Sequence, residues 1–214
     1  MNRGLAIANI ALSAVRPLEG NSYSCALVLA PSGNPLLITL VFLVCFSKNN
    51  APMSNHEPVL LVSRHNHPRG SCQRGRMQRQ RLIHRASYVV VQDLAGRVCV
   101  QKRAADKHFY PGGWDLAAGG VMRPDESVAQ GLSRELHEEL GLQRQFSRWQ
   151  WFWFANPHHQ VWGALSSTVG CPDSVSLSDE VVAVQWLPVR QALALPGATS
   201  DTCHALSLLL SSSF

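Results

Sequence analysis

The chain has no CxxC pair and no His/Cys ligand spacing among its six cysteines, Cys25, Cys45, Cys72, Cys99, Cys171 and Cys203. That pattern argues against a disulfide framework and against a zinc site. The cysteines read as reduced thiols serving as buried filler in a cytoplasmic protein. Long apolar runs are also missing. "LAIANIALSAV" after Arg3 has the look of a signal-peptide core, and "PLLITLVFLVCF" (35–46) is a second apolar run. Both fall short of the roughly 18–20 residues that cross a bilayer, so no membrane span is expected. A second apolar run and unpaired cysteines speak against a secretory signal. Acids are scarce in the first 92 residues, where Glu19 and Glu57 face ten Lys/Arg for a balance of +8. Residues 93–214 carry nine Lys/Arg against twelve acids, a balance of −3. The pI near 9.1 therefore describes the N-terminal part alone.

What is present fits a globular chain. The 214 residues, 46% hydrophobic and 15% charged, suit one medium domain plus an extension. Met53 is read as the working start and residues 1–52 as an upstream extension, untranslated or disordered. Residues 53–82 are read as a basic leader and 83–211 as the folded domain. Within 64–85 stand Arg64, Arg69, Arg74, Arg76, Arg79, Arg81 and Arg85, with no acid. A nucleic-acid arm is one reading of such a stretch. Without interleaved aromatics, a solvated and partly disordered leader is the expectation, and nucleic acid is not expected as a partner.

From Leu82 the pattern is orderly. "SYVVVQD" and "RVCVQKR", joined through Leu94-Ala95-Gly96, predict a hairpin. "YPGGWDLAAGG" predicts a loop with a short strand over Trp114–Ala117. Asp125–Leu140 predicts a helix, started by Pro124 and Asp125 and stopped by Gly141. "RWQWFWFAN", "VWGALSSTV" and "VVAVQWLPV" predict three more strands, and "DTCHALSLLLSS" a closing helix. Strands on both sides of a central helix imply a mixed β-sheet between helices, an α/β fold.

The central helix carries the chemistry. At 100° per residue with Glu135 at zero, Glu139 lies at about +40° and Glu138 at about −60°. Ala129, Leu132, Leu136 and Leu140 fall between about +60° and +140°, so one stripe can be buried while three acids share the neighbouring edge. Like charges at these spacings repel, and the arrangement costs stability unless a cation joins it. Hard divalent ions such as Mg²⁺ take oxygen ligands of this kind together with substrate phosphates. A solvated acidic face is the alternative for three glutamates alone.

The segment "GGVMRPDESVAQGLSRELHEELGL" resembles the Nudix box, GX5EX7REUXEEXGU. Gly120, Glu126, Arg134, Glu135, Leu136, Glu138, Glu139, Gly141 and Leu142 match every fixed position. "HRASYVVV", "YPGGWDLAAGG" and "VWGAL" further resemble the YfcD-type bacterial Nudix hydrolases, relatives of isopentenyl-diphosphate isomerase. The resemblance implies an α/β/α sandwich that hydrolyses a diphosphate bond, in a nucleoside diphosphate linked to another moiety, with Mg²⁺ or Mn²⁺. It implies Glu135 and Glu139 as principal metal ligands, with Glu138 completing the cluster and the Gly120 carbonyl adding an oxygen. It gives Glu126 a choice between helix capping and water activation. Arg134 is expected to orient a glutamate, and Gly119 to let backbone approach a phosphate.

Outside the box, Glu180 is the candidate for a loop base or further metal ligand. His84 and Arg85 are candidate substrate contacts, and Trp114 is a candidate for stacking on a base. The isomerase is the main rival, but its proton-moving Cys and His positions are occupied here by Gly119 and Val121, which cannot move a proton. A nucleotide-sensing module and an RNA pyrophosphohydrolase using the arginine leader are further alternatives. The family is compatible with a homodimer. No residue pattern names the substrate.

Overall fold

The computed structural model describes residues 55–211. The expectations for residues 1–52 and for Met53 as a start lie outside the described residues. The first elements come from the arginine-rich stretch. β1 (Pro58–Val62) pairs antiparallel with β2 (Pro68–Gln73), and α1 (Arg74–Gln80) follows directly. Val59, Met77 and Val121 form a small core here, with Leu61, Cys72 and Leu82 packed against it. The expected solvated leader is therefore corrected for residues 58–80. The apolar run "PVLLV" supplies a strand, and the α1 arginines Arg76 and Arg79 point outward while Met77 and Gln78 are buried. Charge density on the exposed face conceals a buried one.

β3 (His84–Gln92) is the spine of the molecule. It runs parallel to β8 (Gln160–Val169) along its whole length, and antiparallel to β6 (Ala118–Val121) over Ala86–Val89. β4 (Arg97–Arg103) follows β3 through the predicted turn and pairs with β5 (Trp114–Asp115) and β9 (Val181–Pro188). β7 (Gln150–Ala155) pairs with β8. The predicted strand over 114–117 is thus two residues long, and the chain re-pairs at once as β6.

Alternation along β3 sorts its side chains to two faces. Ala86, Tyr88 and Val90 join the core beneath α4 (Ser200–Ser211), with Phe152, Leu165, Ala205 and Leu206. α3 (Val189–Leu193) adds Ala192 to the same cluster. Val89 and Val91 join Leu132, Leu136 and Leu140 of α2 (Val128–Leu140) on the other face. Of the apolar stripe read from the sequence, Leu132, Leu136 and Leu140 are buried and Ala129 is half-buried, and the fold is an α/β/α sandwich around a mixed sheet.

α2 begins later than expected. Ser127, not Asp125, is the N-cap: its hydroxyl accepts from the Gln130 amide, and the Gln130 side chain accepts from the Ser127 amide. That reciprocal pair satisfies two otherwise orphaned donors, which Asp125 is too far upstream to do. Gly141 ends the helix with φ 68°, a left-handed cap that favours glycine.

Candidate active site

β6 and α2 place the box residues. Gly119 lies so close to β3 that a Cβ there would stand 2.1 Å from the Ser87 carbonyl oxygen. At Gly120 a Cβ would stand 2.5 Å from Glu135 Oε1. Both glycines are therefore required by close approach: the first lets two strands pair, and the second makes room for a carboxylate over the strand.

Glu135 and Glu139 are only 3% and 6% exposed. Glu139 Oε2 accepts from Gln101 Nε2 at 2.6 Å and from the Gly119 amide at 3.0 Å. Arg134 is the hub of the remaining acids. Its Nη1 donates to Glu135 Oε1 at 2.7 Å and Glu138 Oε2 at 2.9 Å. Its Nε and Nη2 grip both oxygens of Glu126, at 2.9 and 2.7 Å. Glu126 also accepts from the Arg123 amide at 2.8 Å. Burial pushes the Glu135 carboxyl up to about 7, Arg134 opposing and Glu138 adding to the rise. Burial, then the neighbouring Glu135, raises Glu139 well above the usual carboxylate range.

These groups suit a hard divalent ion in kind. The donors are all oxygens, two of the carboxylates are buried and repel each other, and the strand beneath is stripped of side chain at Gly120. Glu135, Glu138, Glu139 and the Gly120 carbonyl are the residues that would hold it. Among the described residues, no three His, Cys, Asp or Glu side chains are gathered at ligating spacing, and the Arg134 guanidinium bonds Glu135 and Glu138 directly.

The other sequence candidates are distributed unevenly. His84 is buried, with its Nδ1 3.0 Å from the Leu82 carbonyl oxygen. Burial and the nearby His159 bring it down to about 4, so it is a neutral imidazole at pH 7. It lines the same cleft as Gly119 and Gly120. Arg85, one residue on, faces the opposite side of β3. There it donates to Asn66 at 2.6 and 2.7 Å and lies 5.0 Å over the Trp151 ring. The structure thus separates the two residues that the sequence reading grouped. Glu180 forms an ion pair with Lys107. Trp114 packs against the α4-side core, with Lys102 Nζ 5.0 Å from its ring centroid.

Several cleft residues are not among the site candidates read from the sequence, where Arg74 counts only as part of the basic leader. Arg74, at the start of α1, lines the cleft; burial lowers its pKa, and the charges of Glu135, Glu57 and Glu180 oppose that fall. Asp115 pairs with Arg103 and accepts from Thr199 Oγ1 at 2.7 Å. Burial raises its carboxyl despite Arg103. Arg103 also donates to the Phe109 carbonyl oxygen at 3.0 and 3.2 Å, pinning the loop of residues 104–113 over the cleft. A lone Asp beside an apolar "LAA" was the one available sequence signal for this group.

An α/β/α sandwich whose glutamate-bearing helix opens after a double glycine over the sheet defines a Nudix-type domain. The family model described as NUDIX domain matches residues 82–204, and the chain belongs to that family. The chain is 38% identical over 158 residues to the Nudix hydrolase YfcD of Salmonella typhi, a match covering 73% of this chain and 86% of that one. Isopentenyl-diphosphate Delta-isomerase of Burkholderia multivorans is 36% identical over 86 residues, 40% of this chain and 49% of that one. Among solved structures, DR0079 from Deinococcus radiodurans superposes with a TM-score of 0.58 at 16% identity, covering 71% of this chain and 98% of that one. At that identity the likeness shows the fold alone. No helix among the described residues is long and apolar enough to cross a membrane.

Proposed function

We propose that this Nudix-family enzyme is a Mg²⁺-dependent pyrophosphohydrolase, also served by Mn²⁺. It would cleave the diphosphate bond of a small-molecule nucleoside diphosphate linked to another moiety, in the cytoplasm. The observation that carries the reading is the buried Glu135–Glu139 pair held against the side-chain-free Gly119–Gly120 backbone. When bound, the metal supplies charge neutralisation at the phosphates and a water of lowered pKa.

The chain's own residues do the positioning. Gln101 and the Gly119 amide fix Glu139. Arg134 ties Glu126, Glu135 and Glu138 into one rigid set, so that a carboxylate does not have to be ordered at the moment of reaction. Glu126, bonded through both oxygens, is accordingly assigned to positioning and not to proton transfer. Glu138 is the least buried of the three helix acids and is the candidate to take a proton from the attacking water. Arg74 supplies positive charge at the cleft for the substrate phosphates.

The isomerase reading is disfavoured by Gly119. Its position against the Ser87 carbonyl leaves no room for the cysteine that proton shuttling would need. The test is a substrate panel with Mg²⁺ or Mn²⁺: nucleotide sugars, ADP-ribose, dinucleoside polyphosphates, CoA derivatives, nucleoside triphosphates and 5′-triphosphorylated RNA, read by product chromatography. Two phosphate monoester products from one of the linked diphosphates is the expected result. Interconversion of isopentenyl and dimethylallyl diphosphate, with no cleavage of any panel member, would replace it.

A further inference from the structure

The cleft has a second polar end that the box chemistry does not use. His159, 6% exposed, sits in the turn between β7 and β8. That turn is held rigid: Asn156 Oδ1 accepts from the amides of His158 and His159 at 2.8 and 2.9 Å. Asn156 Nδ2 also reaches Tyr110 Oη at 2.8 Å, tying the turn to the loop of residues 104–113. Rings surround the imidazole, with centroids of Phe109 at 5.4 Å, Phe154 at 5.6 Å and Tyr110 at 6.3 Å.

His159 Nε2 faces Asp201 Oδ2 at 3.7 Å, and the same oxygen accepts from Tyr88 Oη at 2.9 Å. Burial alone would raise the Asp201 carboxyl, but His159 and then Tyr88 outweigh it and hold it below its ordinary value. Asp201 is therefore an anion. His159 Nδ1 and Asp201 Oδ1 are both buried, and neither has a hydrogen-bond partner among the described residues. Buried polar atoms left without partners are costly, and natural proteins keep few of them.

Resting on the hydrolase reading, we infer that His159 and Asp201 form a hydroxyl-reading subsite that takes the vicinal diol of a sugar in the substrate. A diol offers two adjacent hydroxyls, each able to donate or accept, so it can serve a carboxylate oxygen and a ring nitrogen in either tautomer, while its ring carbons suit aromatic walls. Both residues line the cleft that also contains Gly119 and Gly120, so one molecule can present its diphosphate to the box and its sugar here. Neither atom is open to solvent. Phe109 and Tyr110 line the cleft and pack on His159, so entry of the sugar moves one of these rings.

The test is calorimetric titration of the full chain with three probes: ADP-ribose, an analogue lacking both hydroxyls of the adenosine ribose, and one lacking the vicinal hydroxyls of the distal ribose. Ca²⁺ replaces Mg²⁺, so that an oxygen-binding cation is present while turnover is limited. One analogue should bind at least about tenfold more weakly than ADP-ribose, which also identifies the ribose that is read. His159→Phe keeps a ring in the aromatic box and removes the ring nitrogen, and it should shrink that ratio to within about twofold. Asp201→Asn should act in the same direction and guards against a misfolded first variant. Equal binding of all three probes, no binding of any, or an unchanged ratio in both folded variants would overturn the subsite. Discrimination in binding without any cleavage under Mg²⁺ or Mn²⁺ would instead overturn the hydrolase reading and leave the subsite standing.

Discussion

Alanine at Gly119 and at Gly120 is the same chemical change on adjacent residues of β6, and the geometry predicts opposite consequences. At Gly119 the added methyl would meet the Ser87 carbonyl oxygen at 2.1 Å and the Ser87 carbonyl carbon at 3.1 Å. Both are backbone atoms of a strand paired on its other side with β8, so relief requires β3 and β6 to part. Overpacking of this kind costs about 3 kcal/mol, which for a domain of this size lowers Tm by roughly 6–12 °C. At Gly120 the methyl would meet the end of the Glu135 side chain at 2.5–2.7 Å. A carboxylate can swing aside, so the fold survives, but the group moves by about half an ångström or more and breaks register with Arg134. Misplacement on that scale costs roughly ten- to a hundredfold in turnover. Differential scanning fluorimetry and product chromatography on the best panel substrate would read the two effects. A Gly119→Ala protein melting within 2 °C of wild type, or a Gly120→Ala protein keeping over half its turnover, would refute this account of the glycines.

Glu139→Gln should leave the fold intact and lower turnover by about two to four orders of magnitude, measured under saturating Mg²⁺. Without metal, Glu135→Gln should melt above wild type by a margin that grows between about pH 4.5 and 7. The native carboxyl keeps its proton up to about 7 whereas the unfolded one releases it near 4.5, so wild-type stability falls across that window and the variant lacks this loss. A margin that shrinks with rising pH would contradict the burial of Glu135. Arg74→Gln should raise KM about tenfold with kcat within about threefold, while the exposed Arg76→Gln leaves both unchanged; equal behaviour of the two variants would remove Arg74 from the phosphate site.

How much of this was readable in the sequence follows from how local each feature is. The α2 acids and their buried stripe depend on helical spacing within a single turn or two, and the box fixes their register, so both were legible. The cap at Ser127 was also legible, since Ser-x-x-Gln stands in the chain, but Pro124 and Asp125 offered a stronger-looking start. β1, β2 and α1 were hidden because seven arginines dominate a stretch whose core needs only Val59, Met77 and a few neighbours. His84 and Arg85 were grouped because they adjoin in sequence, yet a strand sends adjacent residues to opposite faces. The Tyr88–His159–Asp201 cluster joins residues up to 113 positions apart, and no local pattern announces it.

Mn²⁺ titration followed by electron paramagnetic resonance decides whether the α2 carboxylates form a divalent-metal centre. Wild-type protein should remove Mn²⁺ from the free signal with a defined stoichiometry. Glu139→Gln, folded and melting at or above the metal-free wild type, should lose most of that binding. Equal Mn²⁺ uptake by the two proteins, or none by either, would contradict the account.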